Sequence, residues 1–256
     1  MLKEKVNIKE LQIPVCNILG VNIAAINMNW LMQFISANLE KLKGKYICVS
    51  NVHTTVMASE NADYLKVQNN SVICLPDGGP LSKVGKKRGF NEMERTTGPD
   101  FMREIFKLSK ENNYKHYFVG GTQETLDLML ENLEKEFSDI NICGCFSPPF
   151  RDMTIDEDQE LITQIKSADP DFIWVGLGAP KQEIWMYNHR ELFDGIMVGV
   201  GAGFDYFAGN IKRAPMWMQK SNLEWLYRLI QEPTRLFKRY LITNTKFIFY
   251  FTFRRQ

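Results

Sequence analysis

Long apolar runs are absent from this chain of 256 residues. No stretch of about 18 consecutive apolar residues occurs, and residues 247–253 are the nearest candidate, so we expect no membrane-spanning helix. The opening segment, MLKEKVNIKELQIPV, lacks the apolar core of a signal peptide, which favours a cytoplasmic protein. The net charge is only +1, so the composition provides no global attraction to nucleic acid.

Cysteine and histidine are scarce, with five and three residues. Cys48 and Cys74 lie in apolar runs and are expected to be buried free thiols in a reducing compartment. Cys143 and Cys145, separated by one glycine, do not have the spacing of a zinc pair, so no metal site is expected. No histidine has a partner in a pattern typical of a catalytic triad, although His53 lies close enough to a predicted strand end to touch a ligand.

Short apolar runs alternate with helical segments along most of the chain. Six runs are continuous and apolar, as is typical of strands buried on both faces: residues 46–50, 72–75, 116–119, 140–145, 172–177 and 195–200. The clearest helical segments are residues 122–137, where Thr122 is a suitable N-cap, and residues 155–167. This alternation predicts an α/β fold with a largely parallel, Rossmann-like sheet and helices on both faces.

The strand pattern stops near Arg213-Ala214-Pro215, and helical segments follow. From Arg228 onwards the chain has seven lysines or arginines against one acidic residue. We predict an α/β nucleotide-sugar-binding body over residues 1–210 and a helical, basic appendage over residues 211–256. Aromatic residues are interspersed with these cations, which favours contact with an anionic membrane surface, although the same aromatics could pack on the body.

Candidate ligand-binding residues follow the predicted strands, because open parallel sheets bind ligands at the carboxyl ends of their strands. Several of these loops contain glycine and open a helix, which allows backbone amides to approach an anion. Each loop alone could be a simple tight turn, whereas the set favours a nucleotide-type pocket. The loop residues selected on this basis are Asn51, Asp77, Gly78, Gly120, Gly121, Lys181, Gln182 and Asp205.

Asp77 is the strongest catalytic candidate, since a carboxylate at a strand end between Pro and Gly-Gly is placed as a general base as well as a turn former. The segment ERTTGPD puts Arg95 and Thr97 at a helix start, where they could grip a phosphate or only cap the helix. Candidate cations in the appendage are Arg228, Arg235 and Lys238, with Arg239 as an alternative third cation. No GxGxxG or GxxxxGK[ST] fingerprint follows the first strand, which disfavours a dinucleotide-dependent epimerase or oxidoreductase and a Walker-type NTPase.

These motifs together resemble the WecG/TagA/CpsF family of bacterial glycosyltransferases. The strings that carry the resemblance are PDGGPL, ERTTGPD, FVGG, VGLGAPKQEIW, GVGAGFDYFAGNIKRAPMW and LEWLYRLIQEPTRLFKRY, in an order that spans nearly the whole chain. The resemblance implies an inverting, metal-independent transferase without a cofactor. It would move a sugar, typically N-acetylmannosamine, from UDP to an undecaprenyl-diphosphate-linked sugar in cell-surface polysaccharide or teichoic acid synthesis.

The resemblance also implies roles for individual residues. Asp77 matches the catalytic base, and Asn51 a position that lines the sugar site. Arg95, Gln182 and Asp205 match pocket residues for the nucleotide sugar, and Arg228 and Arg235 match appendage arginines that reach the diphosphate. The enzyme would act on the inner face of the cell membrane, as a peripheral protein that could form homo-oligomers. The main alternative is a non-catalytic scaffold of a polysaccharide assembly complex.

Three departures from the family pattern stand close to these motifs. The usual threonine two residues before Asn51 is replaced by Val49, with Ser50 between them. Gly79 occupies a position where methionine is common, and Ser221-Asn222 replaces the usual glycine before LEW.

Overall fold

The computed structural model describes residues 11–253 and begins with a small antiparallel hairpin. Strand β1 (Val15–Ile18) pairs with β2 (Val21–Ala24), and Leu19 and Gly20 form the tight turn between them with φ of 50° and 90°. The sequence analysis did not predict this hairpin. Its buried residues pack against one face of the main sheet.

The main sheet has six strands, all parallel, in the order β4-β3-β8-β7-β5-β6. They are β3 (Tyr46–Ser50), β4 (Ile73–Pro76), β5 (Lys115–Gly120), β6 (Asn141–Phe146), β7 (Phe172–Gly176) and β8 (Ile196–Gly199). Every one overlaps a strand expected from an apolar run. The predicted α/β fold with a parallel sheet is therefore confirmed.

Twelve helices lie within the described residues. In the body they are α1 (Met28–Leu42), α2 (Val52–Glu60), α3 (Ala62–Asn69), α4 (Gly79–Lys87), α5 (Gly98–Asn112), α6 (Gln123–Glu136), α7 (Ile155–Ala168), α8 (Lys181–His189) and α9 (Gly203–Ala208); the C-terminal three are α10 (Met216–Lys220), α11 (Glu224–Gln231) and α12 (Pro233–Phe253). Thr122 caps α6 by accepting a hydrogen bond from the Thr125 amide, as predicted.

Helices cover both faces of the sheet, so two hydrophobic cores form. On one face α1, α5, α6 and α9 pack around the strand residues Phe118, Trp174 and Val198. On the other, the hairpin and helices α2, α3, α4, α7 and α8 pack around Cys48, Val119 and Met197. Cys48 and Cys74 are buried free thiols, as expected.

The predicted helical appendage is present, and its last helix packs against the body. Helix α12 lies along α2 and buries Phe247 in the second core, while Lys246 pairs with Glu60 at 2.8 Å. None of the helices within residues 11–253 combines the length and apolarity needed to cross a bilayer. The exact boundary at residue 210 stays a prediction, and residues 1–10 and 254–256 lie outside the described residues.

Candidate active site

Asp77 and Asn51 stand side by side at the carboxyl ends of the neighbouring strands β4 and β3. The Asp77 amide donates a 2.7 Å hydrogen bond to the Ser50 carbonyl, which ties the two loops together. The Asn51 side-chain oxygen caps α2 by accepting from the amides of His53 and Thr54 at 3.0 and 3.2 Å. Its side-chain NH2 is the group with which Asn51 could reach a ligand.

The segment that contains Arg95 and Thr97 lies against the Asp77 loop. The Thr96 amide donates to the Pro76 carbonyl at 2.8 Å, so this segment lies beside the end of β4. Thr97 caps α5, and its hydroxyl donates to the Asp100 carboxylate at 2.6 Å. Thr97 is therefore a helix cap in this structure, while Arg95 is half-buried and turned to the C-terminal helices.

A pair of buried ionic contacts attaches the C-terminal helices to this segment. Glu224, at the start of α11, is 9% exposed and forms an ion pair with Arg95. The same carboxylate lies 3.1 Å from the Arg213 guanidinium, which also donates to Asp100 at 2.9 Å. The helices after residue 210 thus bring cations to the Asp77 end of the sheet.

Opposing effects act on the Asp77 carboxyl. Burial raises the pKa of Asp77, whereas the nearby guanidinium groups of Arg95 and Arg228 lower it. Burial has the larger effect, so the pKa is raised overall. No group among residues 11–253 donates a hydrogen bond to this carboxylate. A half-buried carboxyl with a raised pKa and open acceptor sites has the properties of a general base.

Two guanidinium groups lie over the aromatic ring of Tyr206, on α9. The guanidinium groups of Arg213 and Arg228 lie 5.4 and 5.5 Å from the centre of its ring, within the range of cation–π interaction. Arg228 and Arg235 share one carboxylate, that of Glu232, at 3.1 and 2.6 Å. Arg239 also lies close by, because burial and then the charges of Arg235 and Arg228 lower its pKa. Three guanidinium groups therefore meet near the Glu232 carboxylate. The cluster is suited to an anion.

Buried polar atoms without a hydrogen-bond partner mark the same region. Within the described residues they are His53 Nδ1, Thr96 Oγ1 and Arg228 Nε; Arg213 Nε also makes no well-aligned hydrogen bond, but it lies 3.1 Å from the Glu224 carboxylate. Thr96 adjoins the Asp77 loop, and both arginines act electrostatically on Asp77. Such groups are rare in folded proteins and cost stability, so Thr96 Oγ1 and Arg228 Nε, both close to Asp77, favour a ligand site there.

Asp205 lines a cleft of about 570 Å³ between α9 and the junction of α11 and α12. Arg235 and Glu232 form part of the opposite wall. This volume lies within the range typical of small-molecule sites. The structure therefore places two predicted residues, Asp205 and Arg235, on one cavity.

The carboxyl ends of the parallel strands form one edge of the sheet, here called the rim. The loops after β5 and β7 form the half of the rim away from Asp77. Gly120 and Gly121 have φ of 126° and 71°, and a Cβ on Gly120 would stand 2.6 Å from the Gly176 backbone, so β5 can leave the sheet only with glycine there. Four strand spacings separate β5 from β4, which puts these glycines roughly 19 Å from the Asp77 loop across the rim. They could contact only the far end of an extended ligand.

Three predicted binding residues are placed differently from the others. Lys181 is exposed and pairs with the exposed Asp152 at 3.1 Å, and Lys238 is exposed on α12. Gln182 is 3% exposed, and both ends of its amide are used inside the protein. In contrast, Arg239 is half-buried beside His53, so Arg239 is better placed than Lys238 to supply the third cation.

Two of the departures from the family pattern, Gly79 and Asn222, are in contact. A Cβ on Gly79 would lie 2.5–2.6 Å from the side-chain atoms of Asn222, which itself has φ of 58°. Asn222 therefore fills the space beside the Asp77 loop that a side chain at position 79 would need. Gly78, between Asp77 and this contact, has φ of 104°, a conformation that favours glycine.

Sequence reasoning did not select Tyr206 or Glu224 as site residues. Tyr206 lies within the string GFDYFAGN, so its neighbourhood was visible. Glu224 had no local signal, because its partner Arg95 is 129 positions away along the chain.

Comparison with known proteins now identifies the family. The chain matches the glycosyl transferase WecG/TagA/CpsF family over residues 16–256. The chain belongs to this family. Within residues 11–253 no group of three or more His, Cys, Asp or Glu side chains could hold a metal ion.

Several curated relatives of this glycosyltransferase carry one name, N-acetylglucosaminyldiphosphoundecaprenol N-acetyl-beta-D-mannosaminyltransferase. The protein from Bacillus subtilis (strain 168) is 32% identical over 219 residues, which is 84% of this chain and 83% of that protein. The protein from Bacillus spizizenii (strain ATCC 23059 / NRRL B-14472 / W23) is 30% identical, covering 77% and 75%. The protein from Staphylococcus aureus (strain MW2) is 30% identical over 86% of each chain.

Proposed function

We propose that this glycosyltransferase moves N-acetylmannosamine from a UDP-sugar to the N-acetylglucosamine of an undecaprenyl-diphosphate-linked acceptor, in cell-surface polysaccharide or teichoic acid synthesis. The names of the relatives support the acceptor and the transferred sugar. The observation that carries the proposal is the half-buried Asp77 with open acceptor sites, a raised pKa and arginines from two parts of the chain around it.

In the proposed reaction an acceptor hydroxyl attacks the anomeric carbon of the donor from the face opposite UDP. Asp77 accepts the hydroxyl proton, the new C–O bond forms, and the bond from the anomeric carbon to the UDP oxygen breaks with its electron pair leaving on UDP. One displacement inverts the configuration at that carbon. The ionised form of Asp77 is the one that accepts the proton, and its raised pKa makes that carboxylate a better proton acceptor.

Negative charge that develops on departing UDP needs stabilisation, and the cations around Asp77 are suited to supply it. Arg95 comes from the body, and Arg213, Arg228 and Arg235 come from the appendage. Preorganised donors of this kind stabilise a developing charge strongly where water is excluded. We therefore propose catalysis without a metal ion or an organic cofactor, with UDP-sugar as donor substrate.

The lipid-linked acceptor requires the site to meet a membrane, and the C-terminal helices are suited to that contact. Large apolar side chains are exposed on them: Met216, Trp217, Trp225, Ile230, Phe237, Leu241, Ile242, Ile248, Phe249 and Phe253. Phe247 and Leu236 on the same helix α12 are buried, so the aromatic residues divide between packing and exposure. We propose that this exposed surface rests on the inner face of the cell membrane, next to the cations that would hold the diphosphate.

The test is UDP release from a panel of UDP-sugars in EDTA, with and without a lipid-linked N-acetylglucosamine-diphosphate acceptor analogue. The expected result is acceptor-dependent release from UDP-N-acetylmannosamine that EDTA does not reduce. Asp77→Asn should lower this rate by about 10²–10⁴-fold, the usual contribution of a general base. Release from another UDP-sugar alone would move the enzyme to another donor, and no release from any donor by folded protein would favour the scaffold alternative.

The membrane contact is tested separately by liposome co-sedimentation. Phe237→Glu and Leu241→Glu replace exposed apolar side chains on α12 and should weaken binding to anionic vesicles. Leu128→Glu is the matched control, because Leu128 is exposed on α6, which packs on the opposite face of the sheet from Phe247 of α12, and this variant should bind as wild type does. Equal binding by all variants would contradict the proposed membrane surface.

A further inference from the structure

A buried chain of polar side chains runs directly beneath the Asp77 end of the rim. Its centre is Glu183, in the first turn of α8, which is 0% exposed and has no basic side chain as hydrogen-bond partner within the described residues. Gln182 donates to one carboxylate oxygen of Glu183 at 2.7 Å, and the Tyr64 hydroxyl donates to the other at 3.2 Å. Both oxygens of this isolated buried carboxyl group are thereby used.

From Tyr64 the chain continues to the ends of strands β3 and β4. The Gln68 amide nitrogen donates to the Tyr64 hydroxyl at 2.8 Å, and the Gln68 oxygen accepts from Ser50 at 2.5 Å and from the Cys74 thiol at 3.2 Å. The backbone carbonyl of Ser50 in turn accepts the Asp77 amide. This arm of the chain therefore ends at the strand termini that carry Asn51 and Asp77.

From Gln182 the chain continues to the loop after β8. The Gln182 side-chain oxygen accepts from the Gly201 amide at 3.1 Å. That loop leads into α9, which carries Tyr206 and the cleft residue Asp205. The chain thus connects the loop after β8 with the ends of β3 and β4, on the half of the rim where the orphaned polar atoms lie.

The direction of these hydrogen bonds is consistent along both arms. Every donor is oriented toward Glu183, because a carboxylate accepts at both oxygens and has no proton to give. The amino terminus of α8 favours a negative charge on Glu183. Burial raises the pKa of Glu183, and the hydrogen bonds from Gln182 and Tyr64 lower it in part. If Glu183 became a donor, a neighbouring donor would lose its acceptor inside the core.

We infer that Glu183 is a positioning residue of the transferase: through Gln182 it holds the Gly201 loop, and through Tyr64 and Gln68 it holds the strand ends beneath Asn51 and Asp77. Gln182 then acts within this chain and does not contact the nucleotide sugar, which differs from the role implied by family resemblance. The kinetic part of this inference rests on the proposed function, whereas the hydrogen-bond part does not.

The decisive variants are Glu183→Gln, Tyr64→Phe and the double variant Gln182→Glu/Glu183→Gln, which swaps the two side chains. In Glu183→Gln, the new NH2 group faces either the Gln182 NH2 or the Tyr64 hydroxyl, so one donor loses its acceptor. In the swap variant, the carboxylate now at position 182 would accept from the Gly201 amide and from the side-chain NH2 now at position 183. The side-chain oxygen at position 183 would accept from Tyr64, so every hydrogen bond of the wild type has a counterpart. Glu134→Gln, at an exposed position of α6, controls for loss of a negative charge.

Two readouts separate positioning from simple loss of folded protein. Amide hydrogen exchange is measured on a peptide covering residues 199–206, with a peptide from α6 as internal reference. The kcat and KM for the donor are measured on protein whose folded fraction is known from thermal unfolding. Glu183→Gln should speed hydrogen exchange at 199–206, whereas Tyr64→Phe, which leaves the Gln182–Gly201 arm intact, should not. Each variant should lower kcat about tenfold, the equivalent of one lost buried hydrogen bond. The swap variant should restore both toward wild type.

Wild-type hydrogen exchange and kcat in Glu183→Gln would overturn the inference. So would a swap variant that is as impaired as Glu183→Gln, since the hydrogen-bond pattern would then not be the cause. If Glu183→Gln does not fold, the kcat of Tyr64→Phe tests the inference on the other arm, and a wild-type kcat there would overturn it. If the wild type releases no UDP from any donor, the proposed function fails, and hydrogen exchange alone still decides whether Glu183 holds the Gly201 loop.

Discussion

The contact between Gly79 and Asn222 gives a quantitative prediction for a double-mutant cycle. Alanine at position 79 would put its Cβ 2.5 Å from Asn222 Oδ1 and 2.6 Å from Asn222 Cβ, so rotation of the asparagine side chain alone cannot relieve the clash. Overpacking of this kind costs about 1–3 kcal/mol of unfolding free energy. We expect Gly79→Ala to destabilise the protein by that amount and to lower activity, because Asp77 lies two residues away.

The reverse holds when Asn222 is replaced. Its φ of 58° is one that glycine adopts more easily than asparagine, so Asn222→Gly should change stability by less than about 0.5 kcal/mol. On that background alanine at 79 has space, and it favours a helical position over glycine by up to about 1 kcal/mol. The double variant should therefore match or exceed the stability of Asn222→Gly, which gives a coupling energy of about 1–3 kcal/mol.

The assay is urea unfolding with linear extrapolation, on the wild type, both single variants and the double variant. Asn113→Gly is the matched control, since Asn113 has φ of 51° at the end of α5 and should show no coupling to Gly79→Ala. Effects of Gly79→Ala and Asn222→Gly that add within about 0.5 kcal/mol would refute the reasoning.

Three further predictions concern single side chains. The folded-state pKa of Asp77 is raised, so ionisation of this carboxyl costs stability as pH rises through that pKa. In thermal melts Asp77→Asn should therefore be more stable than wild type at pH 7.5, and it should lose this advantage below about pH 4. The pKa shift of Asp100 has the opposite sign, because the hydrogen bond from Arg213 lowers the pKa despite burial. Ionised Asp100 therefore stabilises the protein above about pH 4, and this stabilisation is lost as pH falls through the folded-state pKa. Asp100→Asn should flatten that dependence of stability on acid pH. In urea unfolding Gly120→Ala should cost about 2–5 kcal/mol, because its Cβ would stand 2.6 Å from the backbone of β7. Gly178→Ala, at a positive φ but in open space, should cost about 1–2 kcal/mol. Equal costs would contradict the close approach at Gly120.

The sheet was predictable from sequence because its strands are nearly continuous apolar runs, as strands buried on both faces must be. The hairpin was missed for the opposite reason. Strands β1 and β2 are four residues each, and β1 alternates exposed and buried residues, so they give a weak signal apart from the Leu19-Gly20 turn. The strand order also could not be read from the chain, since it depends on how helices cross the sheet.

The candidate site was predictable only as far as strand ends determine it. The expectation that polar loops meet at one rim is met for Asn51 and Asp77, whose strands are neighbours. It is met less closely for Gly120, because four strand spacings intervene. Glu224 could not be found, since an ion pair across 129 positions has no local pattern, and Gln182 was expected at the surface of the pocket because burial is not visible in a loop motif.

The ionic link through Glu224 has a consequence for protein engineering. Arg95 and Asp100 belong to the segment that follows α4, whereas Arg213 and Glu224 belong to the C-terminal part, and the four charges neutralise one another only when both parts are present. A chimaera that takes its C-terminal helices from a relative will therefore leave a buried charge without its partner unless Arg95 and Asp100 are matched as well. Exchange of the C-terminal helices requires a graft defined by these contacts, and a cut chosen from the position of the last strand would divide them.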